Sequence, residues 1–163
     1  MSQKGSNETM EGARPGVKIS RDFDHPREAV YRMLTQPNKA AGIWSPEGAV
    51  QELFELDPKP GGSFRIHDRD GEGHVHKTTG TVVDISPPGL LVVKTSTAPA
   101  SGAAPWEALQ TVTLEELGPK RTRLTVIVRV LSKGSFPGGV ESLEEGFQGG
   151  WGEVIEKMQR ALR

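Results

Sequence analysis

Cysteine is absent from the 163 residues, which excludes a disulfide framework, a thiol nucleophile and a thiolate metal site. An excess of one charge is missing too. Twenty Lys and Arg against 21 Asp and Glu leave a net charge of -1, so neither nucleic acid nor an anionic membrane is implied as an obligate partner. No run approaches the ~18 apolar residues of a membrane span, and the opening MSQKGSNETMEGARPG has no apolar h-region. The expectation is a cytoplasmic protein without stable membrane anchoring. There is no Gly-x-Ser-x-Gly elbow, no phosphate loop and no dinucleotide fingerprint, so no cofactor is expected.

With 34% hydrophobic residues in a chain of this length, one globular domain can build a core. Residues 1–16 are polar, carry three glycines and bury almost nothing, so they are read as a disordered tail before a domain over 17–163. Val17, Ile19 and Phe23 share one parity, as a short strand would. Asp24 can cap a following helix, with Pro26 in its first turn and Ala29, Val30, Met33 and Leu34 as its apolar stripe. Pro37 opens a second short helix through Ile43. From Val50 the pattern becomes alternating, punctuated by Asp57–Gly62, Asp70–Gly73, Ser86–Gly89 and the small-residue stretch Ala98–Pro105. Six strands follow. The clearest is the last, where Leu124, Val126, Val128 and Val130 face one way and Arg121, Arg123 and Arg129 the other, predicting one covered and one solvated face.

The end of the chain is helical. Leu143, Phe147, Trp151, Val154, Ile155, Met158 and Leu162 make one stripe at 3.6 residues per turn. Its first half is costly, because Gly146, Gly149, Gly150 and Gly152 each lose about 1 kcal/mol relative to Ala. Either the helix breaks there, or it lies close to other backbone, or it leaves room beneath itself. Strand, two short helices, six strands and a long helix predict an α+β fold. A curved antiparallel sheet of about seven strands, with the last helix across its concave face, accounts for the stripe.

The ordered set Asp22-x-x-x-Pro26, Trp44, Gly61-Gly62-x-Phe64, Gly80-x-Val82-x-x-Ile85-x-Pro87-Pro88, Leu124-Thr125 and Gly150-Trp151 resembles the activator of heat-shock chaperone ATPase homologue (AHSA-like) family of the START-like, SRPBCC superfamily. The resemblance covers nearly all of 17–163. It implies a helix-grip fold with a deep cavity between the sheet and the C-terminal helix. It leaves activity open, since the superfamily includes lipid carriers, hormone receptors, aromatase/cyclases and chaperone regulators.

Trp44, Phe54, Phe64, Trp106, Phe147, Trp151 and Met158 are candidate walls of that cavity, with plain core packing as the alternative for each. Polar residues on covered parities are sharper signals, because a buried charge without a partner is expensive. Glu52 shares a parity with Val50, Phe54 and Leu56, and Gln110 shares one with Trp106 and Val112. A bulge or register slip would turn either to solvent. His67, His74 and His76 lack a fourth ligand pattern, so no metal site is expected. His76 points the same way as Gly80 and Val82 and can reach the cavity as a base.

The expectation is a protein that binds a small hydrophobic, amphipathic or aromatic ligand, with no catalytic residue assigned. A stress-related role as a chaperone-regulating protein partner is one alternative, although the extra N-terminal domain of the eukaryotic activators is not expected here. A cyclase or hydrolase using His76 or Glu52 in the same cavity is the other.

Overall fold

Seven apolar alternations become seven strands, and their hairpin-length connections order them. In the computed structural model, which describes residues 16–162, these are β1 (Val17–Phe23), β2 (Val50–Leu56), β3 (Ser63–Arg69), β4 (Val75–Ser86), β5 (Leu90–Ala98), β6 (Trp106–Gly118) and β7 (Arg121–Ser132). The expected disorder of residues 1–15 lies outside the described residues. The strands form one curved antiparallel sheet in the order β1-β7-β6-β5-β4-β3-β2. Between β1 and β2 come α1 (Arg27–Thr35) and α2 (Pro37–Ala40), and α3 (Val140–Leu162) closes the chain. The helix-grip α+β architecture is therefore present.

Two helix boundaries differ from expectation. Pro26, not Asp24, occupies the N-cap of α1 and makes no side-chain cap bond. The entry is held instead by Thr122, whose hydroxyl donates to the His25 carbonyl at 2.7 Å. The second helix stops at Ala40 rather than Ile43, because the chain turns through Gly42 at φ +83°, a left-handed conformation that glycine adopts without steric cost.

The parity expected for β2 also fails partway. A bulge between Gln51 and Leu53 inserts an extra residue, so that Gln51 pairs with Asp68 and Leu53 with His67. The extra residue is Glu52. It turns to solvent and meets Arg69, whose Nε donates to Oε2 at 2.6 Å, while Val50 is left 63% exposed. Gln51 takes the concave position in its place. Its Oε1 accepts from the Gly42 N–H at 3.0 Å and its Nε2 donates to Ser45 Oγ at 2.6 Å.

The stripe of α3 packs as its spacing predicts. Leu143, Trp151, Val154, Ile155 and Met158 are buried, Phe147 and Leu162 partly so, and the helix is unbroken through its glycines. It lies mainly on β1 and β7, whose Val17, Ile19, Val126 and Val128 share the core cluster with Ile155 and Met158. Ile155 is 1% exposed. Ile155→Ala should cost about 2–5 kcal/mol through lost burial and a residual void, read as a lower urea midpoint at an unchanged slope. The four glycines do not serve close packing, since an added Cβ at Gly146, Gly149, Gly150 or Gly152 meets nothing within 4 Å. The helix is neither broken there nor packed against other backbone at these positions, and all four border open space.

On the outer face, Asp22 of β1 accepts from Arg123 Nε at 2.9 Å and from Arg121 Nη2 at 3.0 Å. The hydrogen bonds from Arg123 and then Arg121 hold its carboxyl at about 2, below the ordinary 3.8. The ion is thus favoured in the folded chain. Its contribution is complete above pH 3.8 and drains as pH falls through about 2. Asp22→Asn should flatten the acid limb of stability in that window, measured as urea midpoint against pH beside the wild type. Equal slopes for the two proteins would remove Asp22 as a contributor.

Candidate functional site

Between the first half of α3 and strands β3 to β6 lies a cavity of about 380 Å³. That exceeds the roughly 300 Å³ at which small-molecule sites begin. The roof is Leu143, Gly146, Phe147, Gly150, Trp151 and Val154 of α3. The absent side chains of Gly146 and Gly150 are part of the space. The floor is Phe64 and Ile66 of β3, Thr78 of β4, Thr97 of β5, and Trp106 and Gln110 of β6; Trp44, Pro46 and Phe136 close the ends from loops.

Aromatic edges set the shape of those ends. Trp44 meets Phe64 and Trp151 edge-on, each at a centroid distance of 5.1 Å, and Trp106 meets Phe136 edge-on at 5.5 Å. Such T-shaped contacts satisfy the ring quadrupoles and hold the planes apart. Trp44 is fixed further by its indole N–H, which donates to the Leu34 carbonyl at 3.1 Å.

One polar chain crosses the floor. The Trp151 indole N–H donates to Gln110 Oε1 at 2.7 Å, and Gln110 Nε2 donates to Thr95 Oγ1 at 2.9 Å. The Thr95 hydroxyl in turn faces the Ala108 carbonyl at 3.5 Å. An indole is a donor only, so Oε1 must face Trp151 and the amide orientation is fixed chemically. Burial of Gln110, which is 7% exposed, thereby comes with a partner for its oxygen and one for its nitrogen. Beside it Thr78 Oγ1 and Thr97 Oγ1 lie 3.2 Å apart. No Asp, Glu, His, Lys or Arg lines the cavity among the described residues.

Of the ten residues proposed from sequence, Trp44, Phe64, Trp106, Gln110, Phe147 and Trp151 are brought together here. Four are not. Glu52 is turned out by the β2 bulge. Phe54 stands behind the wall, edge-on to Phe64 at 6.2 Å, and Met158 is fully buried under the C-terminal half of α3. His76 has the expected parity but sits at the sheet margin, its side chain 42% exposed and its Nε2 2.9 Å from Asp70 Oδ2. That carboxyl, held by His76 and by the backbone N–H groups of His74 and Glu72, lies at about 2. His74 Nδ1 also lies 3.8 Å from Asp70 Oδ2, but among the described residues no three His, Cys, Asp or Glu side chains gather as metal ligands.

Sequence reasoning missed Thr78, Thr97 and Phe136 of the wall, and Asp68 outside it. Phe136 lies in a loop without periodicity, where only its aromatic character marks it. Asp68 did carry a signal, because it shares the parity of Phe64 and Ile66. It accepts from Ser45 Oγ at 2.6 Å, and burial pushes its carboxyl up against the opposing pull of that bond and of Lys157. Ser45 belongs to the segment 41–49, which α3 holds down through three side chains. Lys157 Nζ donates to the carbonyls of Gly42 and Ser45, Glu153 Oε1 accepts from the Glu47 N–H at 2.9 Å, and Arg160 reaches Glu47 at 3.3 Å. This clamp is what sets Trp44 and Pro46 against the cavity.

The family profile described as Activator of Hsp90 ATPase homolog 1-like protein matches residues 24–163. No curated protein matches the chain. Among solved structures, a Chromobacterium violaceum protein superposes with a TM-score of 0.75 at 21% identity, covering 90% of this chain and 96% of that one. A Rhodobacter sphaeroides protein gives 0.74 at 20% identity, covering 92% and 95%. A protein of Arthrobacter aurescens gives 0.71 at 24% identity, covering 89% and 84%. At such identities these likenesses establish the fold and nothing finer. Among the described residues no helix is long and apolar enough to cross a membrane.

Proposed function

The chain belongs to the Activator of Hsp90 ATPase homolog 1-like family, and from that premise we propose that it is a binding protein enclosing one small hydrophobic or amphipathic molecule between its sheet and α3. A single observation carries the reading: two of the helix's glycines, Gly146 and Gly150, which no neighbouring atom requires, stand where a cavity of about 380 Å³ opens beneath it. A helix meant only to cover a core gains by filling such a space, since voids cost stability. Retaining both the void and the two glycines supports the reading that the space has a use. The walls supply apolar contact and no acid or base, which favours holding a molecule over transforming it.

The test is a titration of the full chain with N-phenyl-1-naphthylamine, a neutral probe whose emission rises in apolar surroundings. Saturable enhancement at one probe per chain, competed by other small apolar molecules, is the expected result. Enhancement that grows linearly without saturation would overturn the proposal.

A further inference from the structure

Resting on the cavity reading above, we propose that the site selects a neutral, flat aromatic molecule carrying one hydroxyl or carbonyl oxygen, and that the hydroxyl pair of Thr78 and Thr97 binds that oxygen. The argument is an account of the polar capacity of the wall. The Trp151 N–H is used by Gln110 Oε1, Gln110 Nε2 is used by Thr95, and the Trp44 N–H is used by the Leu34 carbonyl. The two indole N–H groups are thus spent within the protein, and Gln110 keeps one further N–H, a donor without a lone pair to offer.

The Thr78–Thr97 pair differs. Two hydroxyls 3.2 Å apart share one hydrogen bond, in which either can be the donor, so one hydroxyl proton and several lone pairs remain for the cavity that both residues line. A ligand oxygen can take them as acceptor, or as acceptor and donor together. The absence of charged groups in the wall sets the second condition. A carboxylate or ammonium entering there would lose its hydration without a partner, the most expensive kind of burial. The ends set the third. Trp44 and Phe64, and Trp106 and Phe136, are two edge-on pairs that line the space, so ring faces and edges are there for a planar ring to meet in offset or edge contacts.

Three probes of matched shape separate these conditions: naphthalene, 2-naphthol and 2-naphthoate, titrated calorimetrically at pH 7. A phenol-type hydroxyl is un-ionised at that pH and a carboxylate is not. The expected order is 2-naphthol tighter than naphthalene by roughly 3- to 10-fold, as one net hydrogen bond gives, with no measurable binding of 2-naphthoate. In Thr78→Val/Thr97→Val, which keeps side-chain shape, naphthalene should bind as before and the advantage of 2-naphthol should vanish. An unchanged melting temperature shows that this variant is folded; if it falls, Thr78→Ser/Thr97→Ser, retaining both hydroxyls, should keep the advantage. If naphthalene binds but 2-naphthol gains nothing, or gains equally in the valine variant, or if 2-naphthoate binds as well as 2-naphthol, the selection proposed here is wrong while the cavity reading stands. If none of the three binds, both fall together.

Discussion

Gly146→Leu/Gly150→Leu should abolish saturable probe binding while making the protein more stable. Both glycines line the cavity, and neither has an atom within 4 Å of an added Cβ. A side chain at each therefore starts without a clash, and the room that a leucine takes in the cavity is the ligand's. On the stability side, removing a glycine from a helix interior gains up to about 1 kcal/mol per site, and the new apolar atoms fill a void. A residue whose only contribution is to packing cannot be replaced with gain in stability and loss of binding together. Gly149→Ala supplies the control, since Gly149 is exposed and absent from the wall. It should show the gain of about 1 kcal/mol with probe affinity unchanged. Loss of stability in the double leucine variant, with binding retained, would mean that the space beneath α3 is not where a ligand sits.

The same glycines show how far the sequence could be read. Their cost was visible in the composition of one helix, and the apolar stripe around them fixed which face is covered. Whether the missing side chains admit another backbone or leave space depends on what lies opposite, and part of that is distant in sequence, as Gln110 of β6 is 41 positions from Trp151. Parity succeeded wherever pairing is regular. Gln110 and Trp106 of β6 fall on the concave side as their alternation with Ala108 and Val112 requires. It failed at β2 because side-chain direction has a period of two, and one inserted residue exchanges the faces of everything before it. Glu52 and Gln51 thus traded places, and a charge expected inside was replaced by an amide. His76 illustrates a different limit. Alternation gives the side of the sheet but not the distance from its margin, and at the β3–β4 hairpin Asp70 lies within 2.9 Å to take the ring. The clamp of Glu153, Lys157 and Arg160 on segment 41–49 joins positions separated by more than 100 residues, for which local pattern holds no information.

Trp151→Ala should lower stability by about 3–5 kcal/mol, the cost of deleting a large buried aromatic, and should weaken probe binding as well. From sequence the residue reads as either core or cavity wall; in the structure it is both, 3% exposed in the core cluster and yet part of the roof. Melting temperature alone therefore does not decide its role, and Trp151→Phe is the informative variant. Phenylalanine keeps a ring against Trp44 but has no N–H, which leaves Gln110 Oε1 buried without its donor. That should cost about 1–3 kcal/mol beyond the lost ring area. Replacing both partners, Trp151→Phe/Gln110→Leu, removes the orphaned acceptor and should recover part of the loss, so the two substitutions should be non-additive by roughly 0.5–3 kcal/mol in a double-mutant cycle. Additive effects within error would show that the 2.7 Å bond between the indole and the amide contributes nothing to stability. Non-additivity would show that the helix is locked to the floor of the cavity at this one polar point, so that the roof over the Thr78–Thr97 pair is held by a bond that the ligand does not need to break.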